Sequence, residues 1–198
     1  MSTRSLQNLL TPVIAGLYPG YFAFVMATGI ISIAAYLLEM PPVAWVLFGI
    51  TQVAFVVLWI LTLARLIFFF PRFIADLTDH ARGPGFFTLV AGTSVLGRQY
   101  ILLAGDETTA LVLWFLAALL WVVLMYSFFA AVTVRDEKPN LETGLNGGWL
   151  LTVVATQSVS LLGTRIANHL PAWQEPILFF TLVLYLIGAA LYLFITSL

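Results

Sequence analysis

The chain has no cysteine, so disulfides, thiolate nucleophiles and Cys-ligated metal sites are excluded from its 198 residues. Charge is almost as scarce: 8 Lys and Arg, 9 Asp and Glu and 2 His leave 9% of the chain charged and a net charge of −1. No basic tract exists, and nothing points to nucleic acid. No nucleophile stands beside a base, no phosphate-binding loop is present, and no spacing suits a metal or redox group. The chain therefore reads as a non-enzyme with no catalytic residue, metal or cofactor.

What is abundant is apolar surface. Hydrophobic residues make up 62% and the mean hydropathy is +1.04, far outside the range of soluble domains. Several runs reach the roughly 20 apolar residues that an α-helix needs to cross the bilayer, and the alternation of a barrel strand is missing. The expected fold is all-α, a polytopic integral membrane protein. The first apolar stretch runs to Leu38, longer than the core of a signal peptide, so MSTRSLQNLLTPVIAGLYPG reads as a lead into the first span.

Pro, Gly and charge clusters divide the chain into six spans, at about 20–38, 43–69, 86–104, 108–133, 148–165 and 176–197. Connections are short after the first, third and fifth, and more polar after the second and fourth. This predicts one transmembrane domain of three hairpins, over about 17–70, 83–134 and 146–198. Arg4, Arg65, Arg72, Arg82, Arg135 and Lys138 fall on the N-terminal side, Arg98 and Arg165 on the other. The positive-inside rule then places the N-terminus in the cytoplasm, and the expected location is the cell (plasma or inner) membrane.

The hairpins repeat. PGYFAFVMATGIIS from Pro19, PGFFTLVAGTSVLG from Pro84 and GGWLLTVVATQSVS from Gly147 align without a gap, and their threonines, Thr28, Thr93 and Thr156, are separated by 65 and 63 residues. Gly, Ala, Ser and Thr make up 23 of 54 residues in the first, third and fifth spans, but 18 of 72 in the others. Small residues allow close helix approach, and Leu, Phe and Trp match lipid. An inner set of odd spans wrapped by an outer even set follows.

At helical spacing the repeated faces read Phe24, Thr28, Ser32; Leu89, Thr93, Gly97; and Thr152, Thr156, Ser160. Equivalent hydroxyls at one depth on quasi-symmetric helices suit a pore that replaces part of an ion's hydration, so these nine residues are the expected lining. The same spacing also serves plain helix packing, and a non-transporting membrane scaffold or assembly subunit is the alternative.

No Asp, Glu, Lys, Arg or His lies in the middle third of any span, which argues against a proton-coupled pump or a cation site. Arg98 and Arg165 both follow motif helices. They either attract anions at an outer mouth by field focusing or snorkel to the interface. Asp76, Asp79, His80 and Arg82 read as the solvation of a juxtamembrane loop rather than a metal or catalytic site, and His169 as a loop residue. The six Trp residues fit interfacial anchoring, with Trp59 and Trp121 set deeper.

PGYFAFVMATGIISIAA, GPGFFTLVAGTSVLGRQ and NGGWLLTVVATQSVSLLG resemble the first, third and fifth helices of the tellurite-resistance and C4-dicarboxylate transporter (TDT) family, which includes the plant guard-cell slow anion channels and the fungal sulfite and malate exporters. The resemblance covers essentially the whole chain. It implies a ten-helix fold of five hairpins with quasi-fivefold symmetry, odd helices lining the pore, a trimer, and transport of small anions such as dicarboxylates, sulfite, nitrate, chloride or tellurite. Its gating phenylalanine belongs to the ninth helix, which has no counterpart here. The chain is accordingly expected to be a truncated version carrying three of the five hairpins, with an anionic substrate, the lipid bilayer and further copies of itself as partners.

Overall fold

The computed structural model describes residues 11–135, 144 and 146–197, so Arg4 and Lys138 lie outside the described residues. All elements among the described residues are helical: Ala23–Leu37 (α1), Pro41–Phe68 (α2), Phe70–Leu77 (α3), Phe87–Gln99 (α4), Glu107–Val134 (α5), Leu150–Ala167 (α6) and Gln174–Ser197 (α7). Together with their flanking turns, six of them are long and apolar enough to cross a membrane, and their bounds follow the six expected spans. The exception is α3. Pro71 sits in its first turn and Phe69 breaks it from α2, leaving a two-turn helix that the span pattern did not predict.

The three motif spans begin with a 3₁₀ turn, at Pro19–Phe22, Gly83–Phe86 and Gly147–Trp149. Here the repeated glycine has a physical use. A Cβ on Gly85 would stand 3.0 Å from the backbone N of Gly20, so the first two turns approach backbone to backbone. The end of α4 differs from the others, because it continues as a π turn over Tyr100–Ala104 and closes on Gly105 in the left-handed conformation, at φ 65°. Asp106 then caps α5, accepting the Thr109 N–H at 3.0 Å.

Each hairpin pairs an inner with an outer helix: α1 with α2, α4 with α5, and α6 with α7. α4 also packs against α1 on one side and α6 on the other, which makes it the centre of a fan. The inner and outer sets are distinct in burial. The motif spans bury 39, 67 and 56% of their apolar windows, against 11, 28 and 22% for the partner spans. Lipid is as apolar as a leucine side chain, so association rests on close packing and hydrogen bonds rather than on hydrophobic burial, and the small residues go inward for that reason.

Three inter-helix bonds show how the hairpins are held. The Ser32 hydroxyl donates to the Ala44 carbonyl at 2.8 Å, joining α1 to α2, and the Ser160 hydroxyl donates to the Thr181 carbonyl at 2.7 Å, joining α6 to α7. Between hairpins, the Trp114 indole N–H donates to the Val159 carbonyl at 3.1 Å. At the end opposite the hairpin turns, buried Arg65 pairs with Asp76 of α3 at 2.5 Å, and Arg82 approaches the same carboxylate at 3.0 Å.

Candidate functional site

On one side of α4 the three inner helices frame a cavity of about 330 Å³. α1 supplies Ile30 and Ile33, α4 supplies Ser94, Val95 and Arg98, and α6 supplies Ser158, Leu161 and Leu162. No outer helix reaches it. Six of these eight residues occupy equivalent places in the repeat: Ile30, Val95 and Ser158 stand two residues after the motif threonine, and Ile33, Arg98 and Leu161 stand five after it. The cavity therefore has the quasi-symmetry of the sequence repeat.

The motif threonines point elsewhere. Positions two and five residues on lie roughly half a turn round a helix from the threonine itself. Of the positions four residues on, Ser32 and Ser160 bond the outer helices α2 and α7, while a Cβ on Gly97 would meet Leu162 Cδ2 of α6 at 2.6 Å and the Cβ of Leu113 on α5 at 3.5 Å. Thr93 and Thr156, both fully buried, donate to the carbonyls of Leu89 and Thr152 at 2.7 Å. Thr156 also accepts the Trp121 indole N–H at 2.8 Å, and Thr152 donates to the Trp149 carbonyl at 2.8 Å. Thr28 and Leu89 are buried, whereas Phe24 is 54% exposed. None of the nine residues expected from the hydroxyl pattern lines this cavity, while Arg98 does.

The polar groups in the cavity wall are few, and two are uncommitted. Ser94 is buried and its Oγ has no hydrogen-bond partner among the described residues; Arg98 Nη1 is in the same position. The Ser158 hydroxyl donates to the Val154 carbonyl at 2.7 Å, leaving its oxygen to accept. Arg165 stands near enough for the two guanidinium charges to oppose each other. None of the carboxylate ion pairs among the described residues involves Arg98 or Arg165. The result is a largely apolar cleft with one inward cation, a free hydroxyl and a second cation close by. Such a cleft stabilises an anion and repels a cation.

The hydroxyl pattern does not single out Ser94 and Ser158, which line this cavity. The signal that finds them is Arg98 itself, since the face carrying the span's only charge is the face to follow through the three repeats.

The loop carboxylates serve structure. Asp76 is occupied by Arg65 and Arg82, and Asp79 Oδ1 accepts the backbone N–H groups of Ala81 and Arg82 at 2.9 and 2.8 Å. The His80 carbonyl accepts the Trp149 indole N–H at 3.1 Å. His169 pairs through Nδ1 with Glu107 at 2.7 Å. No group of three His, Cys, Asp or Glu residues suited to a metal ion occurs among the described residues.

Compared with known proteins, the chain matches the family profile described as SLAC1, voltage-dependent anion channel, over residues 16–198. No curated protein and no solved structure matches it.

Proposed function

Because the chain belongs to the SLAC1 family of voltage-dependent anion channels, matched over residues 16–198, we propose that it carries small anions across a membrane along the cavity face of α1, α4 and α6. Family membership supports anion transport in general, by channels and transporters rather than enzymes. The finer reading is our own: Arg98 and Ser94 are the groups that meet the anion, Arg165 raises its local concentration, and the Thr28, Thr93 and Thr156 faces hold the wall from behind. The substrates within this reading are C4-dicarboxylates, tellurite, sulfite and small inorganic anions. The cell membrane, a cytoplasmic N-terminus and a trimer belong to it as well.

One observation carries the reading. Arg98 has no carboxylate partner among the described residues and lines a cavity built from equivalent positions of three repeats. An arginine kept only for packing would be expected to find a counter-charge when taken out of water. The test is the 198-residue chain in liposomes, with flux of chloride, nitrate, sulfite and malate measured for the wild type and for Arg98→Gln. Flux that falls in the variant supports the proposal. Absence of flux for all four anions in the wild type overturns it.

The hydrogen bonds of Ser32, Thr156 and Ser160 to other helices favour packing as the use of those hydroxyls, and a pure scaffold is the second reading. Thr93→Val separates the two together with Arg98→Gln. Under the transport reading Thr93→Val leaves anion selectivity unchanged and Arg98→Gln alters flux; under the scaffold reading neither substitution has a transport phenotype.

A further inference from the structure

The short helix α3 belongs to no span, and its two faces differ. Phe73, Asp76 and Leu77 point inward, at the spacing of one helix side. The Phe73 ring meets that of Phe86 edge-on at 4.8 Å between centroids, Leu77 is buried, and Asp76 holds Arg65 of α2. Phe70, Pro71, Ile74 and Ala75 lie on the opposite side and are all exposed. A two-turn helix clamped from within thus turns an apolar face outward.

Its place along the chain says what covers that face. α2 has 28 residues and is about 42 Å long at about 1.5 Å per residue, against about 30 Å of hydrocarbon. It is long enough to carry its last turn, beyond Arg65, into the headgroup layer, and the helix breaks there at Phe69. Exposed apolar residues run up to the break and past it: Ile60, Leu63, Ile67 and Phe68 on α2, then Phe70 and Ile74 on α3. The lipid-facing surface of the span therefore carries on round the elbow, as in a helix lying at the boundary of headgroups and acyl chains.

Arg72 supplies the charge beside this face. It is exposed, its guanidinium carbon lies 5.9 Å from the centre of the Phe69 ring, and none of the carboxylate ion pairs among the described residues includes it. The carboxylates of this segment are committed, Asp76 to Arg65 and Arg82, and Asp79 to the backbone N–H groups of Ala81 and Arg82. We propose that the α2–α3 elbow binds an acidic phospholipid, with its phosphate on Arg72 and its chains against Phe68, Phe70 and Ile74. The planar guanidinium fork matches a phosphate, and a headgroup of net negative charge gains more from it than one that carries its own cation. Arg135 steadies the site from the other end of α3, donating to the Thr78 carbonyl at 3.2 Å. With the cytoplasmic N-terminus proposed above, α3 lies in the leaflet that holds acidic lipid. The binding itself depends neither on that orientation nor on the transport reading.

Because the chain has no cysteine, Ala75→Cys on the outward side of α3 takes a single fluorophore. The full 198-residue chain so labelled is reconstituted in vesicles of equal parts phosphatidylcholine and phosphatidylglycerol. Nitroxide-bearing phospholipid is expected to quench the label, and aqueous iodide to leave it nearly unquenched. Nitroxide-bearing phosphatidylglycerol should associate about fivefold more strongly than the phosphatidylcholine analogue, the usual effect of one basic residue near a charged surface. That preference should vanish in Arg72→Gln and largely persist in Arg72→Lys, and inorganic phosphate should not abolish it. Strong quenching by iodide overturns the proposal, since the face would then stand in water, open to a protein partner. Equal association of the two lipids, or a preference that survives Arg72→Gln, overturns the assignment of the headgroup to Arg72. Loss of the preference to inorganic phosphate makes the elbow a free-anion site and overturns the lipid.

Discussion

The Trp121 indole N–H donates to Thr156 Oγ1 at 2.8 Å, which ties the outer helix of the second hairpin to the inner helix of the third. The Thr156 hydroxyl in turn donates to the Thr152 carbonyl at 2.7 Å, so it is used in both directions. Trp121→Phe keeps most of the apolar volume and removes the donor. Hydrogen bonds of this kind between membrane helices are worth about 0.6 kcal/mol on average and at most about 1.7. The expected outcome is a loss of stability in that range, read by reversible unfolding in mixed micelles, with anion flux per folded protein unchanged.

Arg98 and Arg165 are expected to separate in their salt dependence. Arg98 lines the cavity, where screening by salt is weak, while Arg165 is exposed and shielded over about 8–10 Å at ordinary ionic strength. Arg98→Gln should lower chloride flux by about tenfold at all salt concentrations. Arg165→Gln should lower it less, and its effect should fade between 10 mM and 500 mM salt, both on the order of values that bracket the screening range. Equal effects at high salt would contradict this assignment.

Much of this was legible in the sequence, and the limit has a physical cause. Apolar length fixes spans, and the register of Thr28, Thr93 and Thr156 reveals the hairpin repeat and its inner helices. The role of the hydroxyl face was not legible, because a threonine in a membrane helix can bond its own carbonyls four residues back, as Thr93 does to Leu89. Its position then reports packing as readily as a pore. Thr93 and Arg98, five residues apart, lie roughly 140° apart on a helix, so they do not share one axis-facing stripe. The pairing of Arg65 with Asp76 was hidden for another reason: α3 turns back after Phe69, and no periodicity announces that turn.

That ion pair should be sensitive to loss of one partner. The Arg65 side chain is only 4% exposed and Asp76 15%, so Asp76→Ala strands a buried cation that is left with partly exposed Arg82 nearby. Breaking a buried pair from one side typically costs about 3–5 kcal/mol. Replacing both, as Arg65→Met with Asp76→Leu, should recover most of the stability, because neither charge is then left unpaired. Detergent melting curves of the single and double variants check this, and equal losses in both would contradict it.

Gly85 makes a close backbone-to-backbone contact between the first two hairpins. A Cβ there would meet the Gly20 backbone N at 3.0 Å and its Cα at 3.4 Å, neither of which can rotate away as a side chain would. Gly85→Ala is therefore expected to cost about 1–3 kcal/mol, the usual range for overpacking. Gly49→Ala, where a Cβ meets nothing within 4 Å, is the matched control and should be neutral or slightly stabilising through better helix propensity.

The cap on α5 gives a pH dependence whose sign can be worked out. The Thr109 hydroxyl donates to Asp106 Oδ2 at 2.5 Å and its backbone N–H to Oδ1 at 3.0 Å, and these bonds hold the carboxyl below the ordinary aspartate value of 3.8. The folded state thus binds the proton less tightly than the unfolded state. The stabilisation is fully present above 3.8, and it is lost as the pH falls through the lower folded value. Asp106→Ala should melt below the wild type at neutral pH, and the gap should narrow on acidification past the usual carboxylate range. Asp106→Asn keeps an N-cap acceptor without the charge, so its melting temperature should track the wild type's more closely at neutral pH and lack the acid-dependent component. A wild-type to Asp106→Ala gap that stays constant down to the lowest pH at which the protein folds would show that the cap works through its geometry alone.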